Sequence, residues 1–254
     1  MDRLLYTAMT GASQTLNRQA SVAHNLANVS TPAYRAEEHR LRAVQVQTHN
    51  TPGALPTRAF VVDASTHTDQ TAGPMMFTGR QLDVAIQGRG WIAVTASDGT
   101  EAYTRNGNLQ LDVNGVLQTR SGLAVVGDAG PIAIPPDQKI EIGRDGTISV
   151  IPETGLQTTS TVGRVKLVNP ADADLERRPD GLFKLRAGAP GGGTAPIDET
   201  VRMTTGFIEG SNVNPVEQMV SMISLARQFE MQTKMITTAE TNDRSASQLL
   251  AVAR

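Results

Sequence analysis

Gly88-Arg89-Gly90-Trp91-Ile92-Ala93 is the pattern in this chain closest to cofactor chemistry, a G-x-G-x-x-A run that comes after a strand-like segment. Glycines at that spacing let backbone approach a pyrophosphate, provided that a helix begins there and turns its N-terminus on the phosphates. Trp91 to Thr95 instead has strand character and leads into Asp98-Gly99, so the glycines are expected to permit a tight reversal or bulge. A nucleotide-dependent oxidoreductase needs a helix after Gly90, and a strand there disposes of it. The histidines, His24, His39, His49 and His67, form no H-x-H or H-x-x-x-H pair and have no acidic partner at ligand-like spacing. No G-x-S-x-G elbow, Walker A loop or paired-carboxylate motif occurs. Absence of cysteine removes disulfides, thiolate metal sites and cysteine nucleophiles. Asp83, Asp112 and Asp145 fall at turns or outward strand positions, where turn-capping is the default role. No catalytic, metal or cofactor-binding residue is assigned, no small-molecule substrate is implied, and the expectation is a protein that is not an enzyme.

With no chemistry to position, the elements themselves become the subject. The chain has 254 residues, 23 Lys plus Arg against 25 Asp plus Glu, and a formal charge of −2. That balance lacks the basic excess of a nucleic-acid binder. No segment approaches the run of about 18–20 apolar residues that spans a membrane, and polar residues interrupt Leu4-Leu5-Tyr6-Thr7-Ala8-Met9-Thr10 before a secretory h-region forms. The expectation is a chain without membrane insertion and without a cleavable signal peptide.

From Asp2 to Asn28 there is no Pro, and Leu5, Met9, Ala12, Leu16, Gln19, Ala23 and Leu26 recur at alternating steps of four and three. This predicts an amphipathic helix with a heptad-like seam, closed by Asn28 and blocked by Pro32. Its other faces carry almost no charge: Asp2, Arg3 and Arg18 are the formal charges in the first thirty residues. A surface helix normally shows Lys/Glu ladders there, so this one is expected to be covered by other protein. Asn214-Pro215-Val216-Glu217 is a helix start, with Asn as N-cap and Pro in the first turn. Met222, Leu225, Phe229, Gln232, Ile236, Ala239, Asp243, Ala246 and Leu250 then step by three and four. The two terminal helices are expected to pair, coiled-coil-like. Met219, Met222, Met231 and Met235 cluster in the second helix, as packing residues or as adaptable contacts to non-identical neighbours.

Between the helices the period changes to two. Leu82 to Ile86, Trp91 to Val94, Ala102 to Thr104, Leu109 to Val113 and Val116 to Gln118 are strand-like, with joints expected at Asp98-Gly99, Asn106-Gly107 and Asn114-Gly115. Asp145-Gly146 and Asp180-Gly181 precede further strands. Residues 35–79, punctuated by Thr51-Pro52-Gly53, Pro56 and Gly73-Pro74, look extended or loop-like, and Gly191-Gly192-Gly193 looks like a solvent loop. The fold class is therefore α+β: terminal helices over 1–30 and 214–254 forming one assembly domain, an extended connecting segment at 31–79, and a mainly β outer domain at 80–213. A cell-surface β-module with coiled-coil ends is the other reading of this layout, and it requires a cleavable signal.

Three stretches carry a family likeness. Asn25-Leu26-Ala27-Asn28-Val29-Ser30-Thr31-Pro32-Ala33-Tyr34 resembles the N-terminal signature of the flagellar rod, hook and hook-associated axial proteins. Leu82 to Trp91, with Tyr103-Thr104-Arg105-Asn106-Gly107-Asn108, is similar to their central β-domain motif, and Gly210-Ser211-Asn212-Val213-Asn214-Pro215-Val216-Glu217 to their C-terminal one. The likeness implies a structural subunit of the flagellar basal-body rod, in its proximal part with the distal part as the alternative, and with other rod subunits and copies of itself as partners. It implies export by the flagellar type III apparatus, a periplasmic location, and assembly of the paired helices around an export channel to transmit torque. The residues it points to for pairing and assembly are Leu5, Met9, Ala12, Leu16, Ala23, Leu26, Met222, Leu225, Phe229, Ile236 and Leu250. The family usually has Gly-Phe at Ala33-Tyr34; because Ala disfavours positive φ, a type I turn or extended run is expected after Pro32.

Overall fold

A computed structural model describes residues 2–45, 59–136, 138–152, 158–190 and 193–252, with side chains placed from Leu5 to Gln248 among them. His49, Thr51-Pro52-Gly53, Pro56, Gly191-Gly192 and the Leu250 side chain lie outside the described residues. The chain divides into two compact units: residues 1–29, 36–69 and 213–254 in one, residues 30–35 and 70–212 in the other.

In the first unit, helix α1 spans Asp2–Ala27 and helix α2 spans Pro215–Val252, about 39 and 57 Å at 1.5 Å per residue. The α1 end is closed by Asn28, whose backbone N–H and side-chain amide both donate to the His24 carbonyl. The Asn214 carboxamide oxygen accepts the N–H groups of Val216 and Glu217 at 3.1 and 3.4 Å and starts α2. The helices pack on each other. Gly11 marks a close approach, since a Cβ there would come within 3.1 Å of the Gln232 side-chain nitrogen.

The segment expected to be loop-like holds an antiparallel ribbon of β1 (Glu37–Gln45) and β2 (Ala59–Thr68), with register from Glu37↔Thr68 to Gln45↔Ala59 and a bulge at Arg40/Leu41. Its sequence hides it because few of its side chains are buried, so no apolar alternation marks it. Anchorage comes from α1. Asn25, itself buried, donates to the Glu37 carbonyl at 2.9 Å and accepts the Glu37 N–H at 3.0 Å, and the Ser21 hydroxyl donates to the same carbonyl.

The second unit is mainly β. A five-stranded sheet, in the order Leu167–Val168, Trp91–Thr95, Glu101–Thr104, Phe183–Leu185, Leu175–Arg177, is antiparallel throughout. Trp91–Thr95 is thus a strand in the position where a dinucleotide site requires a helix. Ile92 and Val94 join one apolar core, with Leu109, Leu117 and Ile148, while Trp91 and Ala93 join another, with Tyr103 and Phe183. Both faces of that strand are covered, which explains its continuous run of apolar residues. Strands Gln138–Ile142, Thr147–Pro152 and Ser160–Arg164 form a further antiparallel sheet.

Two sequence expectations for this unit need correction. Asn106-Gly107 is not a hairpin turn: Gly107 has no positive φ, and a Cβ on it would lie 1.8 Å from the Val84 carbonyl oxygen. The glycine is required by backbone proximity, and the strand after it, Leu109–Leu111, pairs with Leu117–Thr119. Ala33 does adopt positive φ, +59°. With Pro32 locked at negative φ and the Tyr34 N–H donating to the Thr31 carbonyl, this is a type II turn, in place of the type I or extended geometry expected.

Candidate assembly surface

The helix pair has an inner seam and outward faces. On α1 the contact side runs through Leu5, Ala8, Ala12, Thr15, Gln19, Val22 and Leu26, in which Ala8, Ala12 and Thr15 are buried and the rest half-buried. The sequence-derived seam shares Leu5, Ala12, Gln19 and Leu26 with it but differs between them. Met9 and Leu16 are 50% and 48% exposed and Ala23 is exposed, so these positions lie outside the intrachain seam. The physical reason is helix separation. Ala8, Gly11, Ala12 and Thr15 are small and admit α2 closely, whereas Met9 or Leu16 would hold it away. That run of small residues was the overlooked signal.

On α2 the contact side holds Met222, Leu225, Phe229, Gln232, Ile236 and Ala239; Leu225 is 3% exposed and the others half-buried. The Thr15 hydroxyl lies 3.1 Å from the Gln232 side-chain oxygen, joining the polar members of the two seams. Polar partners placed opposite each other favour one register over its neighbours.

Large apolar residues are also exposed on both helices. One position C-terminal to each inner-seam residue of α1 runs a second heptad, Tyr6, Met9, Ser13, Leu16, Ala20, Ala23 and Ala27, of which Tyr6 is 58% exposed. On the reverse side of α2 from its seam, Val216, Met219, Val220 and Ile223 form a two-turn stripe, with Met231 and Met235 exposed further along.

In the second unit, Arg35, Arg105 and Glu209 build a charged collar. The Glu209 carboxylate, 1% exposed, receives Arg35 at 2.7 Å, Arg105 at 3.0 Å and the Gly73 N–H at 3.0 Å. Arg35 also donates to the Thr71 carbonyl and Arg105 to that of Gly88. The Arg105 guanidinium sits 5.7 Å from the Trp91 ring centroid, and Arg177 stacks 4.8 Å from Tyr34 while donating to the Arg35 carbonyl. The Ala33 N–H donates to the Glu209 carbonyl at 2.8 Å, which seats the strained turn on this collar. Neither Arg35 nor Glu209 stood out in the sequence, because a lone buried ion pair leaves no periodic trace.

The arrangement is two long terminal helices with exposed apolar residues and a β unit between them in sequence. Three family models match, described as flagella basal body rod protein over residues 5–35, flagellar hook protein FlgE/F/G D1 domain over 85–150, and flagellar basal body rod FlgEFG protein C-terminal over 204–249. The chain belongs to the flagellar basal-body rod protein family. It is 48% identical to the flagellar basal-body rod protein FlgF of Escherichia coli K12, covering 99% of this chain and 100% of that one, and 47% identical to FlgF of Salmonella typhimurium LT2 over the same shares. The flagellar basal-body rod protein FlgG of Bacillus subtilis is 31% identical, over 94% of this chain and 96% of its own. The chain is a FlgF-like rod protein, a structural subunit of the flagellar basal body.

Proposed function

We propose that this chain is a proximal-rod subunit that polymerises with copies of itself and with other rod subunits through the outward faces of its terminal helices, lining an export channel and transmitting torque. One observation carries this reading. Helix α1 presents two adjacent heptads, one spent on α2 and one left apolar, uncharged and exposed at Tyr6, Met9 and Leu16. A monomer gains nothing from the second. A helix from a neighbouring subunit would bury it. Repeated heterologous contacts of this kind build an open polymer, in which load is shared over many lateral interfaces.

Placement in the proximal rod is supported by the higher identity to FlgF than to FlgG; the distal rod is the alternative. The reading also holds that the subunit works in the periplasm. No helix among the described residues is long and apolar enough to cross a membrane, in keeping with a subunit that is not inserted.

The test is Leu16→Glu. Its side chain is outside the inner seam, so the isolated subunit should keep its helicity and melting temperature while incorporation into purified basal bodies falls at least tenfold. Normal incorporation of the folded variant would defeat the proposal. Cryo-electron microscopy of basal bodies decides placement: density for this chain next to the hook would reassign it to the distal rod.

A further inference from the structure

Most of the inner seam would accept several registers, since one half-buried apolar side chain there serves much like another. Gln232 is different. It stands in the α2 seam between Phe229 and Ile236, half-buried, and both ends of its carboxamide meet α1. The Thr15 hydroxyl, on a residue 3% exposed, shares its proton between the Gly11 carbonyl at 2.9 Å and the Gln232 oxygen at 3.1 Å. The Gln232 nitrogen lies against Gly11, where a Cβ would come within 3.1 Å of it. Gly11 is the single glycine of the two helices, and a helix interior disfavours that residue unless something must come close to the backbone.

These contacts exist in one register. Thr7 and Thr15 lie one turn to either side of Gly11, so a slip of one turn in either direction sets a β-branched residue where Gly11 stands and fills the space of the Gln232 amide. A slip of a whole heptad keeps seam opposite seam. It brings Val22 or Ala8 to the place of Thr15, however, and leaves the carboxamide beside side chains that form no hydrogen bond. A polar contact within an apolar seam selects register in this way, at the expense of some stability.

We propose that Gly11, Thr15 and Gln232 are the register lock of the helix pair, and that a subunit joins the polymer only with this lock engaged. This rests on the assembly reading above. The exposed residues Tyr6, Met9 and Leu16 belong to α1, and Val216, Met219, Val220 and Ile223 to α2. A slip of one heptad displaces one set along the other by about 10 Å, two turns of helix. Neighbours that pack on the outward faces of both helices then meet the wrong residues. The three are positioning residues: Thr15 is buried, Gly11 and Gln232 are half-buried in the seam, and they act through the faces that they align.

The chain has no cysteine, so Asn17→Cys and Thr241→Cys, both at exposed positions, place one spin label on each helix of the whole subunit for pulsed electron paramagnetic resonance. The unaltered lock is expected to give one narrow distance. Thr15→Val combined with Gln232→Leu, which replaces both polar partners by apolar ones, should melt no lower. It should nevertheless give a broadened distribution or a second distance, and incorporate into basal bodies several-fold less. A merely structural role gives the opposite result, lower melting at an unchanged distance. Thr15→Ser keeps the hydroxyl and should keep both the narrow distance and normal incorporation. An unchanged narrow distance in the double variant, or a distribution equally broad with the lock intact, would overturn the proposal. Leu16→Glu is run alongside. If it incorporates normally, the assembly reading falls, whatever the distances show. If it is excluded while the register-shifted double variant incorporates normally, the reading stands and the role of the lock in assembly is overturned.

Discussion

Glu209 illustrates how single residues work in this protein. One buried carboxylate stands between two guanidiniums, and removal of its charge would leave Arg35 and Arg105 facing each other without a counterion. Glu209→Gln is expected to destabilise the β-rich unit by about 3 kcal/mol, measured by urea unfolding. Ala33 tests the same region from the opposite side. Its φ of +59° is one that glycine adopts without penalty, so Ala33→Gly should raise stability by about 1 kcal/mol, and Ala33→Val should lower it. Three aspartates act locally in Asp-x-Thr turns. The hydroxyl and N–H of Thr100 hold the Asp98 carboxyl below the usual carboxylate range, helped by Arg178; Thr147 does so for Asp145, and Thr200 for Asp198. A depressed folded-state pKa contributes stability above the unfolded value and loses it as pH falls through the folded one. Thermal stability should therefore be flat from neutrality to about pH 5 and decline below about pH 4.

At the scale of elements, the helix pair separates residues of similar appearance. Ala8 is in the inner seam and Met9 is not. Ala8→Leu should force the helices apart and lower the stability of the helical unit by about 1–3 kcal/mol, whereas Met9→Ala should leave the isolated subunit's melting unchanged. Circular dichroism melts of the two variants make the comparison. Between Pro215 and Gln248, Leu225 is the single fully buried residue, so most of α2 is supported by a narrow strip of half-buried side chains. Helices supported so thinly are marginal on their own. Limited proteolysis of the free subunit is expected to cut α2 before the β-rich unit; cleavage of the β-rich unit first would contradict this. The β1–β2 ribbon belongs to this scale too. Its dependence on Asn25 predicts that Asn25→Ala loosens the ribbon as well as the helix end, seen as faster hydrogen exchange over 37–45 and 59–68.

At the scale of the whole molecule, sequence order and structural grouping differ. The helical unit is assembled from three separate stretches, and the β-rich unit takes in residues 30–35 together with 70–212. The division by sequence into ends, connector and centre places the helices and the β region, while the connector is divided between the units. The proposal that the chain works by being packed by neighbouring subunits belongs here, and the Leu16→Glu variant probes it.

The sequence by itself determined that there are two terminal helices and that a β region separates them. Each comes from local rules: periodicity, capping residues and turn dipeptides. It could not decide whether Ala8, Thr15 and Val22 or Met9, Leu16 and Ala23 complete the α1 seam with Leu5, Ala12, Gln19 and Leu26, and the larger residues point to the wrong set. That choice depends on how closely two helices can approach, which is a property of the pair. Nor could it show that Ala33 would accept a left-handed turn, that Gly107 answers to the Val84 carbonyl instead of a hairpin, or that Arg35 and Arg105 would share Glu209. These are contacts between residues far apart in the chain, and only the tertiary structure brings them together.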